Sequence, residues 1–341
     1  MKHSLLSMIL FAAVMAACGR DGTAGDGDVS GMTVSLTVGI DNASCTRAEE
    51  MKANAADEEK INSLQVVLFR NGEFYCAESS DSESVKITAE KGTYSIYAFV
   101  NDPHSWTSSS EISEAGILAA ASSLSDNSLS SYVMFGYLPS FEAGEETTSA
   151  IIPVNRFVSK VSIDEIHVDF SENPSYEGCS LQIGKIYLSN VLGTCPYNMI
   201  PSSSPATADL WYNRMGLEDT PESISSMTAD KELDITAADG TTVSLALSYY
   251  AYPNGCASDT SSETWEARKT RLVIEATLDG QECWYHITIP EMKPNAHYRI
   301  TRCTIRNIGG KSPEKHLELA PVTFTMQEDD WDSTYYVEEE S

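Results

Sequence analysis

Ala16-Ala17-Cys18 is the place in this chain where residue type and spacing together specify a reaction. A basic start (Lys2, His3) leads into an apolar run from Leu5 to Ala17, and a thiol follows two small residues. A charged start, an apolar stretch of about 7–15 residues and a small-residue junction make a secretory signal. A membrane span needs about 20 apolar residues. A Cys at this junction resembles a bacterial lipobox, in which lipid is attached to the thiol and cleavage leaves that Cys as residue one. Met15 stands where most lipoboxes carry Leu. The expectation is an exported lipoprotein, held by acyl chains on Cys18 rather than by a spanning helix. The plainer alternative is an ordinary secretory signal followed by a chance Cys.

Other chemistry is hard to assemble from these residues. The six His (His3, His104, His167, His286, His297, His316) are scattered, with no HExxH and no GxSxG pattern. Gly309-Gly310-Lys311-Ser312 resembles a phosphate loop but lacks the first Gly of GxxxxGK[ST], so it reads as a turn. Asp329, Asp330 and Asp332 do not have the spacing of a known calcium loop. Beyond Cys18 there are seven Cys, with no CxxC pair and no His at metal-ligand spacing. Trp284 lies in a strand pattern and Trp331 follows one, where packing is the common role. No enzyme, cofactor or metal is expected. With 22 Lys plus Arg against 50 Asp plus Glu, the formal charge is −28, which repels nucleic acid and anionic membrane. The membrane is expected to be met only through the lipid.

Without the signal about 320 residues remain, room for two domains. Residues 19–30 (GRDGTAGDGDVS) read as a tether. Met32, Val34, Leu36, Val38 and Ile40 then alternate with polar or small residues, the pattern of a strand with one buried face. Asp41 to Lys60 is polar and Ala-rich and holds a single Arg, Arg47. Strand patterns return at Leu64–Leu68, with a hairpin turn at Asn71-Gly72. Both faces of Tyr94–Val100 are apolar, which predicts a central strand. One short helix is expected within 105–131. From Asn155 onward, Val161 and Ile163 share one parity and Ile166 and Val168 the other, as a bulge at Asp164-Glu165 produces. A second hairpin turns at Asp279-Gly280, and Val322, Phe324 and Met326 alternate near the C-terminus, before an acidic, aromatic tail. Short strands with almost no helix indicate an all-β chain of two β-sandwiches in tandem.

Taken in order, several landmarks resemble the fimbrillin A family, the type V pilins of Bacteroidales. They are the junction at Cys18, the first apolar strand, Thr46-Arg47-Ala48, Glu59–Phe69 (EKINSLQVVLF) before Asn71-Gly72, and Tyr94–Asn101 (YSIYAFVN). Val133-Met134 before Gly136, Asn155–Ile163 (NRFVSKVSI), Asn295–Ile300 (NAHYRI) and Trp331 complete the set.

The resemblance implies two transthyretin-like β-sandwich domains, made as a lipoprotein and moved to the outer membrane surface. An Arg-specific protease then cuts the precursor, and subunits polymerise by donor-strand exchange into a fimbria that supports adhesion. Cys18 matches the lipid site, and Arg47 with Ala48 the processing site. Met32, Val34, Leu36, Val38 and Ile40 match the removed strand. Val322, Phe324 and Met326, continued by Tyr335 and Val337, are the candidate donor strand. The expected organisation is a signal at 1–17, a propeptide at 18–47, a first domain at 48–154 and a second at 155–341. Partners would be further copies or related fimbrial subunits, the protease, and a host or bacterial surface ligand of unknown identity. The tail after Trp331 is short (DSTYYVEEES), which keeps open an anchor or tip accessory subunit. A surface lipoprotein that stays uncut and binds a glycan or other ligand is the alternative from a different class.

Overall fold

The computed structural model describes residues 33–41, 58–106, 112–144, 149–213, 231–259, 266–313 and 322–330. In chain order the first half yields β1 (Thr33–Asp41), β2 (Leu64–Arg70), β3 (Glu73–Ser80), β4 (Ser84–Glu90) and β5 (Gly92–Val100). A short helix, α1 (Glu114–Ala119), precedes β6 (Ala121–Ser123), β7 (Met134–Ala143), β8 (Ser149–Pro153) and β9 (Asn155–Arg156). The hairpin between β2 and β3 turns on Asn71 (φ 55°) and Gly72 (φ 78°), the two left-handed positions that a two-residue turn requires. Ser113 caps α1, its Oγ accepting from the Gly116 N–H at 3.0 Å. Five strands form one sheet in the order β3-β2-β5-β7-β9, and three form another in the order β4-β1-β8. The expected central strand is β5. Tyr94, Ile96, Tyr97, Ala98, Phe99 and Val100 are all buried, so both its faces are covered.

The second half supplies β10 (Ser159–Val168), β11 (Ser180–Ser189), β12 (Val191–Leu192), β13 (Thr194–Pro196) and β14 (Trp211–Tyr212). It continues with β15 (Lys231–Ala238), β16 (Thr242–Ala251), β17 (Arg271–Leu278), β18 (Gln281–Thr288), β19 (Ala296–Ile305) and β20 (Val322–Asp330). Two four-stranded sheets result, β16-β10-β19-β20 and β15-β11-β17-β18. The parity switch in β10 coincides with a register shift against β16 between Ile163 and Glu165, where Ala246 takes φ 50°. Asp279 (φ 49°) and Gly280 (φ 75°) make the tight turn between β17 and β18. The all-β expectation is met.

Apolar residues from both halves join one buried cluster, running from Leu64 and Val66 to Cys303 and Ile305. A ladder crosses between the halves as well, β6 pairing with β13 through Ser122↔Cys195. Among the described cysteines, Cys179, Cys195, Cys256, Cys283 and Cys303 are free thiols, and Cys76 is buried. Cys283 is buried, as its alternation with Tyr285 and Ile287 predicts. The Gly309-Gly310 segment lies along the outer edge of β18, where Trp284 and Gly310 exchange backbone hydrogen bonds of 2.9 and 2.8 Å. A Cβ at Gly309 would stand 2.6 Å from the Trp284 carbonyl oxygen, so only glycine permits that approach.

Candidate functional site

The first apolar strand of the sequence is β1, the middle strand of the three-stranded sheet. It runs antiparallel to β4, with Val34↔Ala89, Leu36↔Ile87 and Val38↔Val85 in register. It runs parallel to β8, with Val38↔Ala150 and Ile40↔Ile152. All five of those partners are buried. The alternate positions of the neighbouring strands, Lys86, Thr88 and Ile151, are exposed, as is Ser35 of β1. The even-numbered positions of β1 are thus in register with the core face and the odd-numbered ones with solvent, as period two demands. Within this sheet β4 and β8 have no other strand partner. A chain lacking β1 would expose two unpaired edges and an apolar floor of Val85, Ile87, Ala89, Ala150 and Ile152.

Val322, Phe324 and Met326 lie on β20, the edge strand of its sheet, in register with Ile305, Cys303 and Ile300 of β19. Thr323, Phe324 and Thr325 are exposed in succession, while Val322 and Met326 pack partly against the core. Around the backbone ladder sit a hydrogen bond from Arg306 Nη1 to Thr323 Oγ1 (2.6 Å) and an ion pair between Lys293 and Glu328 (2.8 Å). Cys18, Met32, Arg47, Ala48, Tyr335 and Val337 lie outside the described residues.

Glu58, the first described residue after β1, is anchored. Its carboxylate lies 2.7 Å from Lys160 Nζ and accepts the Tyr250 hydroxyl, and its main-chain carbonyl accepts from Arg156 Nε at 3.1 Å. Glu58, Lys160, Arg156 and Tyr250 are all buried. Burial first, then the Tyr132 hydroxyl and the Glu58 carboxylate, push the Tyr250 hydroxyl pKa well above the usual phenol range. A second polar knot ties the loop after β5 to the segment after β13. Asp102 accepts from Trp106 Nε1 (2.7 Å) and the Tyr197 hydroxyl, and its other oxygen sits 2.9 Å from His104 Nδ1. Neither knot is evident in the sequence, where Glu58 is one acid in an acidic run. Among the described residues, no three of His, Cys, Asp and Glu converge as a metal site.

The arrangement defines an all-β protein whose first described strand is the middle strand of a three-stranded sheet. Residues 32–150 match the family of the major fimbrial subunit protein (FimA), which bears out the resemblance read from the sequence. That family is one of fimbrial subunits, not of enzymes. The fold is similar to that of a fimbrilin from Porphyromonas gingivalis, with a TM-score of 0.59 and 16% identity over 90% of this chain and 98% of that one. A Bacteroides eggerthii protein assigned to cell adhesion gives the same score, identity and coverage. One from Parabacteroides distasonis gives 0.57 and 16%, covering 87% of this chain and 96% of its own. No curated protein sequence matches the chain.

Proposed function

We propose that the protein is a subunit of a surface fimbria, lipidated on Cys18, cut between Arg47 and Ala48, and polymerised by strand exchange in support of adhesion. The observation that carries this reading is the position of β1 between β4 and β8, joined to the rest of the chain through residues 42–57, which contain Arg47. A cut there severs the covalent link of one middle strand while Glu58 stays clamped to Lys160. The apolar seat then fits an extended strand of alternating pattern from another subunit, as in β-augmentation. Val322, Phe324 and Met326 alternate in that way along an edge strand, with Phe324 exposed and Val322 and Met326 partly buried. Other fimbrial subunits are the partners, and an Arg-specific protease the activator, at the outer membrane surface.

A second reading draws on the nine-residue register of β20 with its own β19. A subunit whose C-terminal strand stays there accepts a strand without donating one, which is a tip or anchor accessory role. Two measurements test the readings. N-terminal sequencing of fibres should give Ala48, and Cys18-linked full-length chains in fibres would overturn processing. Thr88→Cys combined with Phe324→Cys or with Thr325→Cys, sampling both faces of β20, should crosslink different subunits. Crosslinking absent from both combinations, in fibres that still form, removes β20 as donor.

A further inference from the structure

Withdrawal of β1 leaves β4 without a ladder to any other described strand, yet one end of β4 is held by groups that do not belong to β1. At Glu90 the backbone N–H donates to the Tyr75 hydroxyl (3.0 Å), and the backbone carbonyl accepts from the Tyr94 hydroxyl (2.8 Å). Both main-chain groups of that residue are thereby satisfied by β3 and β5 of the opposite sheet. The Glu90 side chain pairs with Arg70 of β2 at 2.7 Å. Arg70 Nη2 also donates to the Lys91 carbonyl (3.3 Å), and the guanidinium lies 5.8 Å over the Tyr94 ring. The Tyr75 and Tyr94 rings meet edge to face at 5.0 Å. The ion pair is half-exposed and therefore screened. The bonds to the backbone, one of them from a tyrosine buried to 1% exposure, form the firmer part of the contact.

The other wall is fixed at the opposite end. Gly136 of β7 lets β8 approach so closely that a Cβ would lie 2.5 Å from the Pro153 carbonyl oxygen and 2.8 Å from the Ile152 and Val154 side chains. Glu90 is in register with Thr33 and Pro153 with Asp41, so the two fixed points sit diagonally, one at each end of the seat.

We infer that Tyr75, Tyr94 and Arg70 are positioning residues that keep β4 in place as a preformed wall when β1 leaves, so that an incoming extended strand of a second copy meets an ordered edge. The inference rests on the strand-exchange reading above. Without the cluster, β4 has to be ordered at the moment of binding, which slows association. With β1 seated, the β1–β4 ladder already orders β4 and the cluster is largely redundant.

The test uses the full chain with a site-specific protease sequence placed within residues 42–57, cut after folding, and a fluorescent synthetic peptide of residues 32–41 as probe. Tyr75→Phe/Tyr94→Phe removes both hydroxyls and keeps both rings, and Arg70→Met is examined separately with Arg70→Lys as the conservative rescue. The expected result is peptide uptake by the cut wild type, about tenfold slower in the double variant and in Arg70→Met and partly restored by Arg70→Lys. Unfolding midpoints of the uncut chains should barely move. Equal uptake rates overturn the positioning role, as does an uncut midpoint that falls in step with uptake, since that marks a merely structural contact. No uptake by the cut wild type removes the strand-exchange reading and this inference with it.

Discussion

The Glu58 carboxylate lies 2.7 Å from the Lys160 ammonium, with both side chains less than a tenth exposed. This ion pair fastens the beginning of the chain after the 42–57 segment to β10. Glu58→Gln leaves a buried ammonium without its counter-charge, and a loss of about 3–5 kcal/mol in urea unfolding is expected. Replacing the pair together, as Glu58→Met/Lys160→Met, should recover most of that loss, because a well-packed apolar pair avoids the desolvation of both charges. A double variant as unstable as the single one would show that geometry rather than charge balance matters here.

Gly136→Ala is expected to destabilise the protein by about 1–3 kcal/mol, as overpacking does where the obstructing atom is backbone. The obstruction is the Pro153 carbonyl. The loss should appear locally, as faster amide hydrogen exchange over residues 149–153 than over β2 or β5. Uniform acceleration across both sheets would contradict a local contact.

The local features were the legible ones. Asn71-Gly72 and Asp279-Gly280 mark their hairpins because a two-residue turn needs left-handed backbone at both positions. Tyr94–Val100 shows its central place through apolar residues at both parities. The register of β1 with the core face follows from period two, but its parallel pairing with β8 is a contact across more than a hundred residues that no local pattern encodes. β15 is hard to read from the sequence, because Leu233, Ile235 and Ala237 alternate only briefly beside Lys231, Glu232 and Asp234. Lys160 lies among Ser and Val in a strand pattern, and nothing near it in sequence marks Glu58 and Tyr250 as its partners.

Acid should weaken the fold through His297. Its Nε2 lies 2.8 Å from Ser162 Oγ, and burial, followed by the positive charges of Lys160 and Arg299, holds its pKa down to about 3 from 6.5. Below pH 6.5 the unfolded chain takes up a proton that the folded protein refuses until about pH 3. The stabilisation is therefore complete above 6.5 and declines as pH falls towards 3. Urea unfolding between pH 6.5 and 5, above the range of most carboxylates, isolates this effect. His297→Gln should flatten the slope there by about one proton equivalent, and an unchanged slope would refute the assignment.

Two processing variants address the amino-terminal chemistry. Cys18→Ala should abolish incorporation of labelled palmitate and release the protein from the detergent phase, because stable anchoring requires the attached chains. Detergent partitioning like that of wild type would exclude Cys18 as the anchor. Arg47→Ala should keep the precursor length on gels and stop fibre growth, and a shortened chain in this variant would show that processing does not depend on Arg47.

The contact between Gly310 and Trp284 has a colloidal consequence. A bare sheet margin is adhesive towards any extended chain, including the same margin of an identical molecule. On β18 the chain's own Gly309-Gly310 segment already occupies part of that margin. At high local concentration on a cell surface, copies meeting flank to flank along β18 find its hydrogen-bonding groups there spent. Lateral bundling is discouraged at this edge, and with a net charge of −28 on each chain, mutual repulsion acts in the same direction.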